Sequence, residues 1–301
     1  MRLHTTPDSA WSPAAHSMLK ARQRGVTLIE LMVGIAIGLL VVAVAMGALM
    51  VSRGVSGTVS DASGIQQQST FVMRAIGMQL RQAGSLYLNP NPTSAPADAL
   101  VMAPVAFETK AVSTDGTGAN FDPVENTLSA PGGGLSAGFR RYKEAVHTSP
   151  VDQTIGRNCL GGPTDSLINT DQVVESIFQL NGTELRCTGN KNTQAIAQNV
   201  SNFQVRYLIQ DNTQPSIPTL KYVNAAAVSD WLKVQAVEVC VVIFGTEAIS
   251  MPTDGSSTYR DCDNTAVDMT TLSGARNRRM HITYRNVFQL RGQGLTRDQL
   301  L

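Results

Sequence analysis

Lys20-Ala21-Arg22-Gln23-Arg24-Gly25-Val26-Thr27-Leu28-Ile29-Glu30 leads into an uncharged apolar run over residues 31–51, closed by Ser52 and Arg53. At about 1.5 Å of rise per residue, that run as a helix spans roughly 30 Å, the thickness of a bilayer's hydrocarbon core. Lys20, Arg22 and Arg24 stand ahead of it. By the positive-inside tendency they hold residues 1–25 in the cytoplasm and send the rest across. Gly25 lies between the charges and the run and has no side chain to obstruct a protease. A secretory signal is cut after its apolar region, whereas a cut at Gly25 comes before it and leaves the helix on the mature chain. Glu30 is the single ionisable side chain between Arg24 and Arg53, and a carboxylate in a membrane segment calls for a cationic partner.

Residues 1–19 are rich in Ser, Pro and Ala without periodicity, which predicts a disordered leader that is discarded together with His4 and His16. Beyond the membrane run, Val55, Val59, Ala62, Ile65, Ser69, Val72, Ile76, Leu80 and Ala83 recur at three- and four-residue intervals. That is one amphipathic stripe, with Asp61, Gln67, Gln68, Arg74 and Arg81 left to the surface. Gly84 and the Asn89-Pro90-Asn91-Pro92 stretch supply the stop. Gly54, Gly57 and Gly64 each cost about 1 kcal/mol of helix propensity outside the membrane, which predicts a hinge there.

From residue 100 the signal turns to strands and loops. Residues 100–108 read as a first strand, and the tract through Gly116, Gly118 and Pro131-Gly132-Gly133-Gly134 as loop. Residues 173–180 and 183–186 flank Asn181-Gly182, a strong hairpin cue. Phe203, Val205, Tyr207 and Ile209 alternate with polar residues, residues 234–244 form a near-continuous apolar run interrupted by Glu238, and Met280, Ile282, Tyr284, Phe288 and Leu290 alternate again. These are two half-buried strands around a central one covered on both faces. Four cysteines, Cys159, Cys187, Cys240 and Cys262, lie beyond the membrane segment. An even count on the exported side reads as two disulfides, with three pairings open and buried free thiols the alternative. The candidates are Cys159 with Cys187, which would tie a loop to the hairpin, and Cys240 with Cys262.

Charge and motifs exclude much. Lys and Arg number 24 against 23 Asp and Glu, and without the leader the chain is formally −2, so no nucleic-acid footprint is present. His147 and His281 are the histidines left outside the leader, and neither sits in a nucleophile or metal motif. His281 falls on the polar side of its predicted strand. The glycines of residues 131–138 lack the Gly-Lys-Ser/Thr ending of a phosphate loop, and the cysteine spacings oppose zinc. Asp261-Cys262-Asp263 with Asp268 lacks the Gly and terminal Glu of a calcium loop. No catalytic residue, cofactor or metal is expected.

Gly25-Val26-Thr27-Leu28-Ile29-Glu30 resembles the prepilin peptidase site of type IV pilins and type II secretion pseudopilins, with Gly before the cut and Glu at the fifth mature position. Val26 stands where that family most often has Phe. Phe71-Val-Met-Arg-Ala-Ile-Gly-Met-Gln-Leu-Arg-Gln-Ala-Gly84, Ile196-Ala-Gln-Asn-Val-Ser-Asn-Phe-Gln-Val-Arg-Tyr207 and Tyr284-Arg-Asn-Val-Phe-Gln-Leu-Arg291 resemble pieces of the PilW-type minor pilins, as do Asn158-Cys159-Leu-Gly161 and Leu185-Arg-Cys187. The resemblance implies cleavage after Gly25, N-methylation of Val26, and an α+β pilin-like fold in which a long N-terminal helix packs on a C-terminal antiparallel sheet. It divides the chain into a leader (1–25), a transmembrane assembly segment (26–51), an amphipathic helix (52–88) and a β-rich periplasmic domain (89–301). It also implies a non-enzymatic minor pilin held in the inner membrane and then built into the pilus, where it primes assembly at or near the tip. Its partners would be prepilin peptidase, other minor pilins and the major pilin, the inner-membrane assembly platform, and a tip adhesin as a further candidate. Glu30 would pair with the new amino terminus and set the register between subunits. The alternatives are a type II secretion pseudopilin and a membrane-anchored periplasmic enzyme or binding protein.

Overall fold

The computed structural model describes residues 25–83, 87–88, 105–106, 111–113, 116, 118–142, 147–150, 153–163, 172–211 and 219–290. The chain divides into two compact units, Met1–Arg53 and Gly54–Leu301. Helix α1 (Leu28–Gln82) begins in the first and ends in the second. Thr27 starts it: its Oγ1 accepts from Glu30 N at 3.3 Å and its carbonyl from Leu31 N at 3.1 Å, the Thr-x-x-Glu spacing of a capping box. In the first unit every described residue is exposed, apolar on all sides of the helix. Such a surface is stable only in lipid or against other apolar helices.

In the second unit the helical assignment runs unbroken through Gly54, Gly57 and Gly64, so the expected hinge is not a break in the helix. The predicted stripe packs from Ile65 onward. Ile65, Val72, Ile76, Leu80 and Ala83 are buried, while Val55 and Val59 stay exposed. Each large member contributes about 1.5–3 kcal/mol by leaving water. Gly77 brings helix and sheet close, because a Cβ there would stand 2.6 Å from Phe288 Cε1.

Two antiparallel sheets share one core with this half of α1. After the short ladder of β1 (Tyr87–Leu88) and β2 (Val105–Ala106) come a helical turn α2 (Pro123–Asn126), β3 (Leu128–Ser129), β4 (Leu135–Arg140), β5 (Val173–Asn181), β6 (Glu184–Gly189) and β7 (Asn192–Ala197). These last five strands form one sheet in the order β3-β4-β5-β6-β7. The second sheet takes β8 (Val200–Asp211), β9 (Thr219–Val223), β10 (Val234–Ala248) and β13 (Arg279–Gln289) in the order β13-β10-β8-β9. A two-stranded excursion, β11 (Thr258–Arg260) with β12 (Ala266–Asp268), interrupts the return from β10 to β13. Tyr207 bridges the sheets, fully buried, edge-on to Trp231 at 4.9 Å and donating to Gly134 O at 3.4 Å. Burial pushes its phenol pKa up.

The sequence expectations hold for the 173–186 hairpin, for β8 and for β10, whose residues 236–245 are buried as a central strand requires. Of the predicted strand over 100–108, only β2 is described, and the rest lies outside the described residues. Strand β4 lies just beyond the glycine run that reads as loop. Its Gly138 passes so close to α2 that a Cβ would sit 2.2 Å from the carbonyl oxygen of Asn126. Strand β7 and strand β9, both exposed edges, carry no burial alternation to announce them.

Candidate assembly site

Gly25 and Val26 precede the helix, exposed, with no atom within 4 Å of where a Cβ on Gly25 would stand. The peptide bond between them is open to a protease. Val26 is 68% exposed, and Glu30 follows four residues later, about one helical turn along. Among the described residues no cation pairs with the Glu30 carboxylate; Lys20, Arg22 and Arg24 lie outside them. The arrangement places one acid in an otherwise uncharged apolar surface, beside the atom that a cut after Gly25 would turn into an ammonium.

In the second unit, polar side chains fix α1 to the sheets. Asp61, placed on the surface by its periodicity, is half-buried: its carboxylate accepts from Thr246 N (3.1 Å), Thr246 Oγ1 (2.7 Å) and Glu247 N (2.8 Å). Burial opposes the charge, but those three hydrogen bonds and the nearby Arg279 guanidinium hold the carboxyl below its ordinary pKa. Gln79, buried on the same helix, donates from Nε2 to Arg157 O (3.1 Å) and accepts from Ser176 Oγ (3.0 Å), which itself accepts from Cys159 N (3.0 Å). A lone Gln within an apolar stripe was the signal available in sequence. Glu238, the one charge among residues 234–244, lies between Arg206 (2.6 Å to Nη2) and Arg285 (3.1 Å to Nη1), and Arg285 Nη2 also donates to Cys262 O at 2.7 Å.

Cys159 is bonded to Cys187 and Cys240 to Cys262, with Cα atoms 6.5 and 5.7 Å apart. The first joins the loop that Asn158 organises, its Oδ1 accepting from Leu160 N and Gly162 N, to β6. The second pins the 249–278 excursion over β10. That excursion covers His281, which lies on the polar side of its strand and is yet only 5% exposed. Its ring stacks on Tyr259 (4.7 Å between centroids) and on Phe244 (5.5 Å), with Nδ1 bonded to Arg279 O at 2.8 Å. Burial first, and then the positive field of Arg276, depress its pKa against opposing contributions from the Arg279 carbonyl and Asp261. Asp263 and Asp268 spend their carboxylates on local amides, Thr265 N and Thr270 N. Asp261 Oδ1 accepts from Asn202 Nδ2.

Residues 168–292 match the family model for Type IV Pilus-assembly protein W, and residues 20–46 match the Prokaryotic N-terminal methylation motif. Residues 168–292 resemble a PilW domain. The domain runs from β5 through β13, so the surface on which the second half of α1 packs belongs largely to it. The chain thus joins a stretch that matches the N-terminal methylation motif to one that matches PilW, and the fold is α+β, a long N-terminal helix followed by antiparallel sheets. The PilW family is structural rather than enzymatic, and the methylation motif implies processing by prepilin peptidase and assembly with other pilins. Helix α1 is long and apolar enough to cross a membrane, which fits anchoring there before incorporation. Comparison with curated protein sequences gives no match. Among solved structures the chain is similar to the type IV-like pilin TTHA1219 from Thermus thermophilus, at 13% identity and a TM-score of 0.35, over 76% of this chain and 97% of that one.

Proposed function

We propose that this chain is a minor pilin, cut after Gly25, methylated on the amino group of Val26, and built into a type IV pilus at or near its tip, where it primes the filament with other minor pilins. The observation that carries the reading is the first half of α1. Its apolar side chains, among them Leu31, Leu39 and Val51, are 58%, 65% and 70% exposed. A helix apolar all round needs lipid before assembly and other helices afterwards. The basic leader supports an orientation with residues 54–301 in the periplasm. In the assembled state the Val26 ammonium and a Glu30 carboxylate neutralise one another in an apolar medium, and the pair sets the axial register between subunits. The work of the molecule is association, with the inner-membrane assembly platform and the major pilin as neighbours. Cysteine pairing suits the oxidising periplasm.

The test is the intact mass and N-terminal sequence of protein purified from membranes of hosts with and without prepilin peptidase. The expected result is a peptidase-dependent start at Val26, with 14 mass units added by methylation. A Met1 start in both hosts overturns the reading and leaves a plain signal anchor. Loss of exoprotein secretion with piliation intact, on deletion, assigns the chain to a secretion pseudopilus instead.

A further inference from the structure

Between the C-terminal part of α1, from Ser69 to Arg81, and the edge strand β13 runs a groove of about 560 Å³ whose lining includes Arg74, Met78 and Arg81 from the helix and Tyr284 and Phe288 from the strand. No carboxylate lines it. Arg285, on the strand side, is already committed to Glu238 and to Cys262 O. Arg74 and Arg81 are exposed and pair with no acid among the described residues. Seven residues apart, they stand two turns and about 10 Å from one another on one helix face. Phe71 and Met78, 54% and 46% exposed, form a parallel apolar row at the same spacing. Along β13, Val287 N donates to the Oδ1 of its neighbour Asn286 at 2.9 Å, which closes part of the strand edge to an added strand. A partner is therefore held through side chains.

We infer that this groove docks a helix of a different pilin-type subunit, one that carries carboxylates seven residues apart beside apolar side chains. The inference rests on the reading that the chain assembles with other pilins. Charge complementarity selects the partner. Two guanidiniums two turns apart, paired with no acid among the described residues, match acids at i and i+7 on a facing helix, and the apolar row beside them receives that helix's apolar flank. The same argument excludes a second copy. Between Glu30 and the end of α1 the chain has one acid, Asp61, and its oxygens are taken by Thr246 and Glu247. An identical helix would bring Arg74 and Arg81 against arginines or neutral residues.

The experiment uses the full chain in detergent micelles and, as probe, a fluorescein-labelled Ala-rich helical peptide with Glu at two positions seven apart and Leu beside each. The control peptide has Gln at both positions. At low salt the Glu peptide should bind, and both the Arg74→Gln/Arg81→Gln double variant and the Gln peptide should weaken binding by about tenfold or more. Arg186→Gln, on β6, should leave it unchanged. Equal affinity of the two peptides, equal affinity of the double variant, or no binding overturns the assignment. Concentration-dependent dimerisation of the wild-type chain that the double variant abolishes overturns it in favour of self-association. N-terminal sequencing of the same preparations separates the two readings. A Val26 start with no peptide binding removes the groove's role alone, whereas a Met1 start removes the pilin reading.

Discussion

His281 shows how one residue's environment becomes a dependence on pH. Its ring is enclosed by Tyr259 from β11 and Phe244 from β10, with Arg276 and Asp261 the charged groups that face it, and its pKa is lowered chiefly by burial. The unfolded chain therefore takes up a proton more readily than the folded one. Stability from this site is complete above the unfolded pKa, about 6.5, and declines as pH falls below it toward the lower folded value. His281→Phe keeps the stack, removes the titration, and loses the hydrogen bond to Arg279 O at a cost of about 1 kcal/mol. In thermal melts of the wild type, Tm should fall more steeply from pH 7 to pH 5 than in the variant. Parallel curves would show that His281 does not carry the dependence. The sequence placed this residue on a polar strand face, and the alternation was correct. What covers that face is a segment more than ten residues upstream, and strand periodicity holds no record of it.

At the scale of elements, that cover depends on one covalent tie. The Cys240–Cys262 disulfide joins two residues 22 apart and anchors the β11–β12 excursion to the central strand. In the chain-entropy account, a loop of this size contributes about 3 kcal/mol by restricting the unfolded state. Cys240→Ala/Cys262→Ala should lower the unfolding free energy by roughly that much in denaturant titrations, and Tyr259 should become more accessible to solvent quenchers. An unchanged midpoint would mean the excursion is held by its hydrogen bonds instead. The elements legible in sequence are those whose own side chains declare their burial. Helix α1, the Asn181-Gly182 hairpin, β8 and β10 each combine a period or run with a turn signal. Strand β4 has the right alternation, Leu135, Ala137 and Phe139, but only six residues of it, and the glycines ahead of it read as loop. Strand β7 is exposed over most of its length, so its place at the sheet edge comes from backbone pairing to β6 and not from any pattern of its own. What Asp61 and Gln79 bind was illegible for a related reason. Their partners, Thr246 and Ser176, are far along the chain, and only the assembled sheets bring them within hydrogen-bond reach.

For the whole molecule the decisive contrast is between its two units. Residues 54–301 bury a core and satisfy the polar groups that dock α1, whereas the described part of residues 1–53 buries nothing. The second unit can be judged by its stability, but the first acquires meaning only through what surrounds it. Glu30 is where that can be tested, since it is the sole charge on an apolar surface and its backbone amide is capped by Thr27. Insertion depends on the apolar run and cleavage on the leader junction, so Glu30→Ala should leave both intact. On the proposed reading, removing the carboxylate strands the Val26 ammonium in an apolar environment, where an unpaired ion costs several kcal/mol. The variant should therefore reach the membrane, start at Val26, and be depleted in sheared pilus fractions by tenfold or more relative to wild type. Glu30→Gln separates charge from shape: it should assemble as poorly as the alanine variant if pairing sets the register. Wild-type levels of either variant in pili would show that apolar packing of the 31–51 surface suffices and that the acid does not set the register.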